Sequence, residues 1–240
     1  MRSRLIRLVA ALATGVALVT LGASAGSITG TIKWEGPAPV MKPFDLSADP
    51  HCAAMHKDKP ILNEALVLGK NKTIANIIVT VTKGLPEGKT YPVPKDPVIL
   101  TQKGCQYSPH VFVVRVGQPL KILNPDGIMH NVDGMPRVNR PFNRAMPAPV
   151  KEMEVTFTKP EGGFPIKCDV HPWMRAYCAV VDNPFFDVTG KDGVFKIDGL
   201  APGTYEISAW QERLGAQTAT VTVTDSKPGE HDFTFSRPHH

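Results

Sequence analysis

Cys168, His171 and Met174 follow one another as Cys-x2-His-x2-Met in the stretch KCDVHPWMRAY, residues 167 to 177. A thiol, an imidazole and a thioether at even spacing on one short loop are soft ligands able to fold back over one ion. A second imidazole lies upstream in LKILNPDGIMHNVDG, where His130 follows an apolar run and a turn, 38 residues before Cys168. Two imidazoles, one thiolate and a weak axial thioether make the donor set of a type 1 copper centre, whereas zinc takes thiolate and imidazole but has little use for a thioether. Two plainer readings stand beside this one. Cys168 can be a disulfide cysteine with His171 on the surface and Met174 in the core, which leaves the ligand order unexplained, or the group can hold a structural zinc.

The elements that must position these residues are strands. Short runs rich in β-branched and aromatic residues (SITGTIKW, IANIIVTVT, HVFVVRV, LKILN, MEVTFTK, FPIKC, AYCAVV, GVFKI, TYEISAW, TATVTV, HDFTF) are divided by the turn signals NPDG, KDG and APG. Apolar positions at helical spacing do not persist beyond residue 25. The pattern predicts an all-β protein built of sandwiches rather than an α/β sheet. Cys168 ends the strand GGFPIKC, with Phe164 and Ile166 on its face.

The first 25 residues read as a signal peptide. Arg2, Arg4 and Arg7 precede the apolar run LVAALATGVALVTLG, and Ala23-Ser24-Ala25 offers a small-residue cleavage site. The run is short for a membrane span and no second one follows. The expected mature chain runs from Gly26 to His240, exported to the periplasm with no span. The whole chain has 27 Lys and Arg against 22 Asp and Glu. Three of the arginines fall in the leader, which leaves 24 basic against 22 acidic side chains, a net of +2. That balance argues against nucleic acid as a partner.

The segment YSPHVFVVRVGQPLKILNPDGIMHNV followed by CDVHPWM resembles the cupredoxin, or blue copper, family, and the Cys-x2-His-x2-Met spacing with Pro172 and Trp173 inside the loop is similar to that of the amicyanins. The likeness covers roughly residues 105 to 182. It implies a Greek-key sandwich holding one type 1 copper by His130, Cys168, His171 and Met174. It also implies that the side chain of Asn131 ties the His130 segment to the Cys168 loop. The function so implied is transfer of single electrons between redox partners, a cytochrome or dehydrogenase among them, and not catalysis. The family habit would bring the His171 ring to the surface within an apolar patch, here Pro172 and Trp173, and Arg137, Arg140, Arg144 and Arg175 would form a basic rim for an acidic partner. A plainer reading keeps NRPFN as a plug of the sandwich edge with solvated arginines. Pro165 within the strand and Ile166, at a position often aromatic, depart from the family pattern.

Residues 183–240 have another character. FFDVTGKDGVFKIDGLAPGTYEISAWQERLG resembles the carboxypeptidase regulatory-like, or transthyretin-like, sandwich through Asp192, Gly193, Phe195, Pro202, Gly203 and Tyr205. This predicts a second small β-sandwich at 183–240, which strand 27–35 can complete. The copper domain is then expected over 26–182, with the copper unit at about 97–182, packed against the second sandwich or inserted in it.

Of the other cysteines, Cys52 and Cys105 lie outside the strand patterns, while Cys178 alternates with Ala176 and Val180 as a buried thiol would. In an oxidising compartment this favours a Cys52–Cys105 disulfide. The cluster His51, Cys52, Met55 and His56 is read as solvated loop, a second copper being its alternative. The remaining histidines, His110, His231, His239 and His240, are scattered, and beyond the leader, where GASAG at 22–26 spans the expected cleavage site, the chain carries no G-x-S-x-G or H-E-x-x-H motif. Against electron transfer stand two other readings: a copper carrier or store, and an interaction module in which copper only stabilises the fold.

Overall fold

The computed structural model describes residues 26–237, so the leader and its cleavage site lie outside the described residues. The chain begins with β1 (Gly26–Trp34), followed by a short helix, α1 (Pro50–Met55), and β2 (Ile78–Lys83). The middle of the chain forms β3 (Val98–Gln102), β4 (Tyr107–Ser108), β5 (Val111–Arg115), β6 (Pro119–Leu123), β7 (His130–Gly134), β8 (Phe142–Met146), β9 (Glu152–Thr156), β10 (Glu161–Lys167) and β11 (Arg175–Val181). It ends with β12 (Phe186–Val188), β13 (Val194–Leu200), β14 (Gly203–Gln211), β15 (Gly215–Val223), β16 (Gly229–Glu230) and β17 (Phe233–Phe235). The all-β expectation holds. Among the described residues, no helix is long and apolar enough to cross a membrane.

The strands pair into two sandwiches. In the first, the sheet β5-β11-β10-β7-β8 faces the sheet β4-β3-β6-β9. Leu120 and Ile122 alternate inward along β6 and meet Phe112, Val114, Phe164 and Ile166 from the opposite sheet in one apolar core. In the second, β1 lies between β13 and β16 and also pairs with β17, opposite the sheet β12-β2-β14-β15. Ile28, Ile32, Phe195, Tyr205 and Ile207 fill that core.

This strand order keeps a division near residue 182, where β11 gives way to β12, and adds a second one between β2 and β3. β1 and β2 precede the first sandwich in sequence yet pair within the second, β1 with β13 and β2 with β12 and β14. The sandwich of β3 to β11 is therefore inserted between β2 and β12. β5 shows how the units join. All five of its residues are buried, Phe112 and Val114 in the first core, Val111 and Val113 against Ile78, Tyr177 and Trp210 at the contact between sandwiches. Gly163 marks the closeness of that contact, since a Cβ there would lie 2.4 Å from the Trp210 ring.

Between β1 and β2 the chain crosses to the end of the first sandwich where β7 begins and β10 finishes. Asp49 caps α1 by accepting the N–H groups of His51 and Cys52, with Pro50 in the first turn, where a missing N–H costs nothing. Cys52 is disulfide-bonded to Cys105, the pairing expected from the sequence. Cys178 is a free, buried thiol, and burial holds its pKa well above the usual range.

Candidate metal centre

The four expected ligands arrive from three places at one end of the first sandwich. His130 opens β7, Cys168 directly follows β10, and His171 and Met174 sit on the loop leading into β11. All four are buried. Antiparallel pairing of β10 with β7 and with β11 brings these segments side by side, and two backbone bonds tighten the loop: Met174 N–H to His171 O at 2.9 Å and Cys168 N–H to Met174 O at 3.3 Å.

His130, Cys168 and His171 converge with their donor atoms all within 4.8 Å of one another. His171 Nδ1 lies 3.0 Å from His130 Nδ1 and 3.6 Å from Cys168 Sγ. The outer nitrogens are also engaged. His130 Nε2 is 3.1 Å from Asp126 Oδ2, and His171 Nε2 is 3.0 Å from Asp49 Oδ2. An ionised carboxylate only accepts, so each Nε2 carries a proton, and in the neutral imidazole each Nδ1 then presents a lone pair. Two lone pairs and a sulfur aimed at one buried point repel unless a cation lies between them. The donor set thus fits a soft or borderline metal such as copper, with the Met174 thioether in the same buried cluster. Burial lowers the His130 pKa, with the hydrogen bond the ring donates to Asp126 opposing, which suits a ring that must offer a free lone pair.

Asn131 makes the tie expected of it. Its Oδ1 accepts the Asp169 N–H at 2.6 Å, and its Nδ2 donates to Asn143 Oδ1 at 2.8 Å and Asp169 Oδ2 at 3.0 Å, so β7, β8 and the ligand loop are clamped together. The sequence reading did not find Tyr107. Its hydroxyl donates to Asn131 O at 2.6 Å and approaches Lys167 O at 3.1 Å, bracing the backbone beside two ligands. Burial, and then the neighbouring negative groups, raise its pKa, so it remains a donor. Asp49 and Asp126 were also missed. Asp126 lies in the NPDG turn four residues before His130, a position a sequence reader could weigh; Asp49 has no local signal pointing to the site.

The expected docking patch is corrected at its centre. Trp173 is only 8% exposed and donates its indole N–H to Cys105 O at 3.1 Å, with its ring 5.2 Å from that of His171. His171 is likewise buried, because α1 and Asp49 close over its outer edge. Pro172 and Arg175 are exposed. The other arginines, also exposed, do not ring the site. β8 runs antiparallel to β7, with Met146 opposite His130 and Phe142 opposite Gly134, so the connection carries Arg140 away from His130. Arg137 binds Glu161 through its backbone N–H, at the start of β10 and roughly 20 Å along the strand from Cys168. Arg144, opposite Val132, is the nearest of the three. Phe142 packs on the core edge beside Gly134 and Phe157, as a plug would.

No family model and no curated protein matches the chain. Part of it is similar to solved structures. A copper-containing nitrite reductase from Thermus scotoductus aligns at 22% identity and a TM-score of 0.34, over 42% of this chain but 26% of that one. A purple cupredoxin from Nitrosopumilus maritimus aligns at 22% identity and 0.29, over 35% of this chain and 98% of that one. A mutant of amicyanin in its Cu(I) form aligns at 20% identity and 0.32, over 42% of this chain and 97% of that one.

Proposed function

We propose that the chain is a type 1 copper protein that carries single electrons between redox partners in the periplasm, with His130, Cys168, His171 and Met174 as the ligands of one copper. The observation that carries this reading is the convergence of two Nδ1 lone pairs and the Cys168 sulfur on one buried point. Bound copper would supply a reversible one-electron couple. The residues supply the rigid frame such a couple needs: Asn131 locks the ligand loop to β7, Tyr107 braces both strands, and Asp126 and Asp49 hold the rings. Burial of all four ligands favours a resident metal over one handed on, which weighs against the carrier or storage role.

The test is an optical spectrum of copper-loaded protein before and after reduction. Oxidised protein should show an intense visible thiolate-to-copper band that reduction bleaches and reoxidation restores, and Cys168→Ser should abolish it. A colourless protein holding one tight zinc would overturn the assignment.

A further inference from the structure

Both imidazoles of the centre are held from behind by carboxylates, and the two carboxylates belong to one cross-linked frame. Asp126 has a side chain 5% exposed, and it accepts the N–H groups of Gly104 and Cys105 at 2.7 and 2.8 Å as well as His130 Nε2. Cys105 is bonded to Cys52 of α1, and α1 is capped by Asp49, which returns to His171 Nε2. A closed path therefore runs from one ligand ring to the other behind the metal position. Half of it comes from the segment between β1 and β2, which lies outside the first sandwich in sequence.

Each carboxylate does two things. It fixes the tautomer and rotation of its ring, so that Nδ1 faces inward. It also adds a negative charge within hydrogen-bond range of a ligand, in a buried site that already holds the Cys168 sulfur. Negative charge stabilises the more highly charged oxidation state of a bound metal. We propose that Asp49 and Asp126 are paired positioning residues that orient both ligand imidazoles and bias the centre toward Cu(II) over Cu(I), with Asp49 delivered by the disulfide-anchored cap. The inference rests on the copper reading above and adds to it the residues that set ring orientation and redox bias.

Asp49 is the cleaner residue to test, because Asp126 also supports the loop at Gly104 and Cys105. Asp49→Asn keeps a helix-capping side chain but removes the charge, and Asp49→Ser caps α1 while being too short to reach His171. Nitrogen-15 spectra of the full mature protein, metal-free and as Cu(I), should show an Nε2–H on both rings in the parent and a shifted, faster-exchanging His171 Nε2–H in both variants. Cu(II) affinity should fall roughly tenfold more than Cu(I) affinity in each variant, a rise in reduction potential of about 59 mV. A His171 ring protonated at Nδ1 alone in the parent, or an affinity ratio unchanged in both variants, overturns the proposal. A parent protein without the charge-transfer band would sink the copper reading instead, and the ring tautomers of the metal-free protein would still decide the anchoring.

Discussion

His130 Nδ1 and His171 Nδ1 face each other across 3.0 Å while both Nε2 atoms are bound to carboxylates. The arrangement is electrostatically unfavourable until a cation occupies the space between the rings. Metal binding should therefore stabilise the fold strongly. With free copper at a thousand times its dissociation constant, linkage gives about 4 kcal/mol. Calorimetric scans should show the thermal midpoint rising with copper, and His171→Ala should remove most of that rise. A midpoint indifferent to copper would mean that the rings meet for another reason.

Met174 is buried beside the other proposed ligands, with its backbone tying the loop closed at both His171 and Cys168. As a weak axial donor its thioether should tune the couple more than it holds the ion. Met174→Leu preserves volume, so it should keep copper and colour while raising the potential, because losing a donor favours Cu(I). Voltammetry on the coloured variant measures this directly. Complete loss of copper would make Met174 a principal ligand.

The convergence of His130, Cys168 and His171 was legible because two of them share one short loop with Met174, and chemistry alone restricts what a thiol, an imidazole and a thioether can do together. Asn131 was legible through its place beside His130. Asp49 was not, since its role depends on a segment that crosses from β1 to the far end of another sandwich before returning as β2. Within residues 41 to 63 only Cys52, expected to pair with Cys105, ties the segment to the first sandwich, and nothing there points Asp49 at His171. The same crossing explains Trp173. An aromatic residue on a tight loop fits either a surface or a plug, and the α1 cap, of which only the disulfide was expected, decides for the plug.

Trp173 should accordingly behave as a core residue. Trp173→Ala removes a buried ring and the hydrogen bond to Cys105 O, and should cost roughly 3–5 kcal/mol in denaturant unfolding. Trp173→Phe keeps most of the volume, so it should lose only about 1 kcal/mol for the missing donor. Two variants that unfold like the parent would return Trp173 to the surface and reopen the docking patch.

The disulfide spans a sequence separation of 53 residues, which in the chain-entropy account is worth about 4 kcal/mol. Its removal should also act locally, because Cys52 holds the helix that Asp49 caps. In a Cys52→Ser, Cys105→Ser double variant, amide exchange across residues 49–55 should accelerate more than across β6 and β10. Uniform acceleration would place the whole effect in the unfolded chain.

A last prediction concerns the join between the sandwiches. His110, just before β5, presents Nε2 to Glu212 Oε2 at 2.5 Å and Nδ1 to the Arg175 carbonyl at 3.1 Å, with Glu64 Oε2 3.8 Å away. The His110 and Glu212 side chains are 9% and 5% exposed. Both ring nitrogens face acceptors, so the doubly protonated cation satisfies the geometry best. Burial pushes the imidazole's pKa down, but the hydrogen bond and charge of Glu212, then Glu64 and the Arg175 carbonyl, outweigh it and leave the pKa raised. A raised folded-state pKa adds stability that is complete below the unfolded value, about 6.5, and fades as pH climbs through the folded value. His110→Gln should therefore cost most at about pH 5–6, roughly 1–3 kcal/mol, and progressively less as the parent's ring loses its proton above that. Glu212→Gln should flatten the same pH dependence by removing the strongest reason for the charge. Urea unfolding of the parent and both variants across pH 5 to 9 isolates the effect, since other titrating groups cancel in the differences. A pH-independent gap between parent and His110→Gln would show that the ring is neutral and that the clasp between Glu212 and the strand after the ligand loop is an ordinary hydrogen bond.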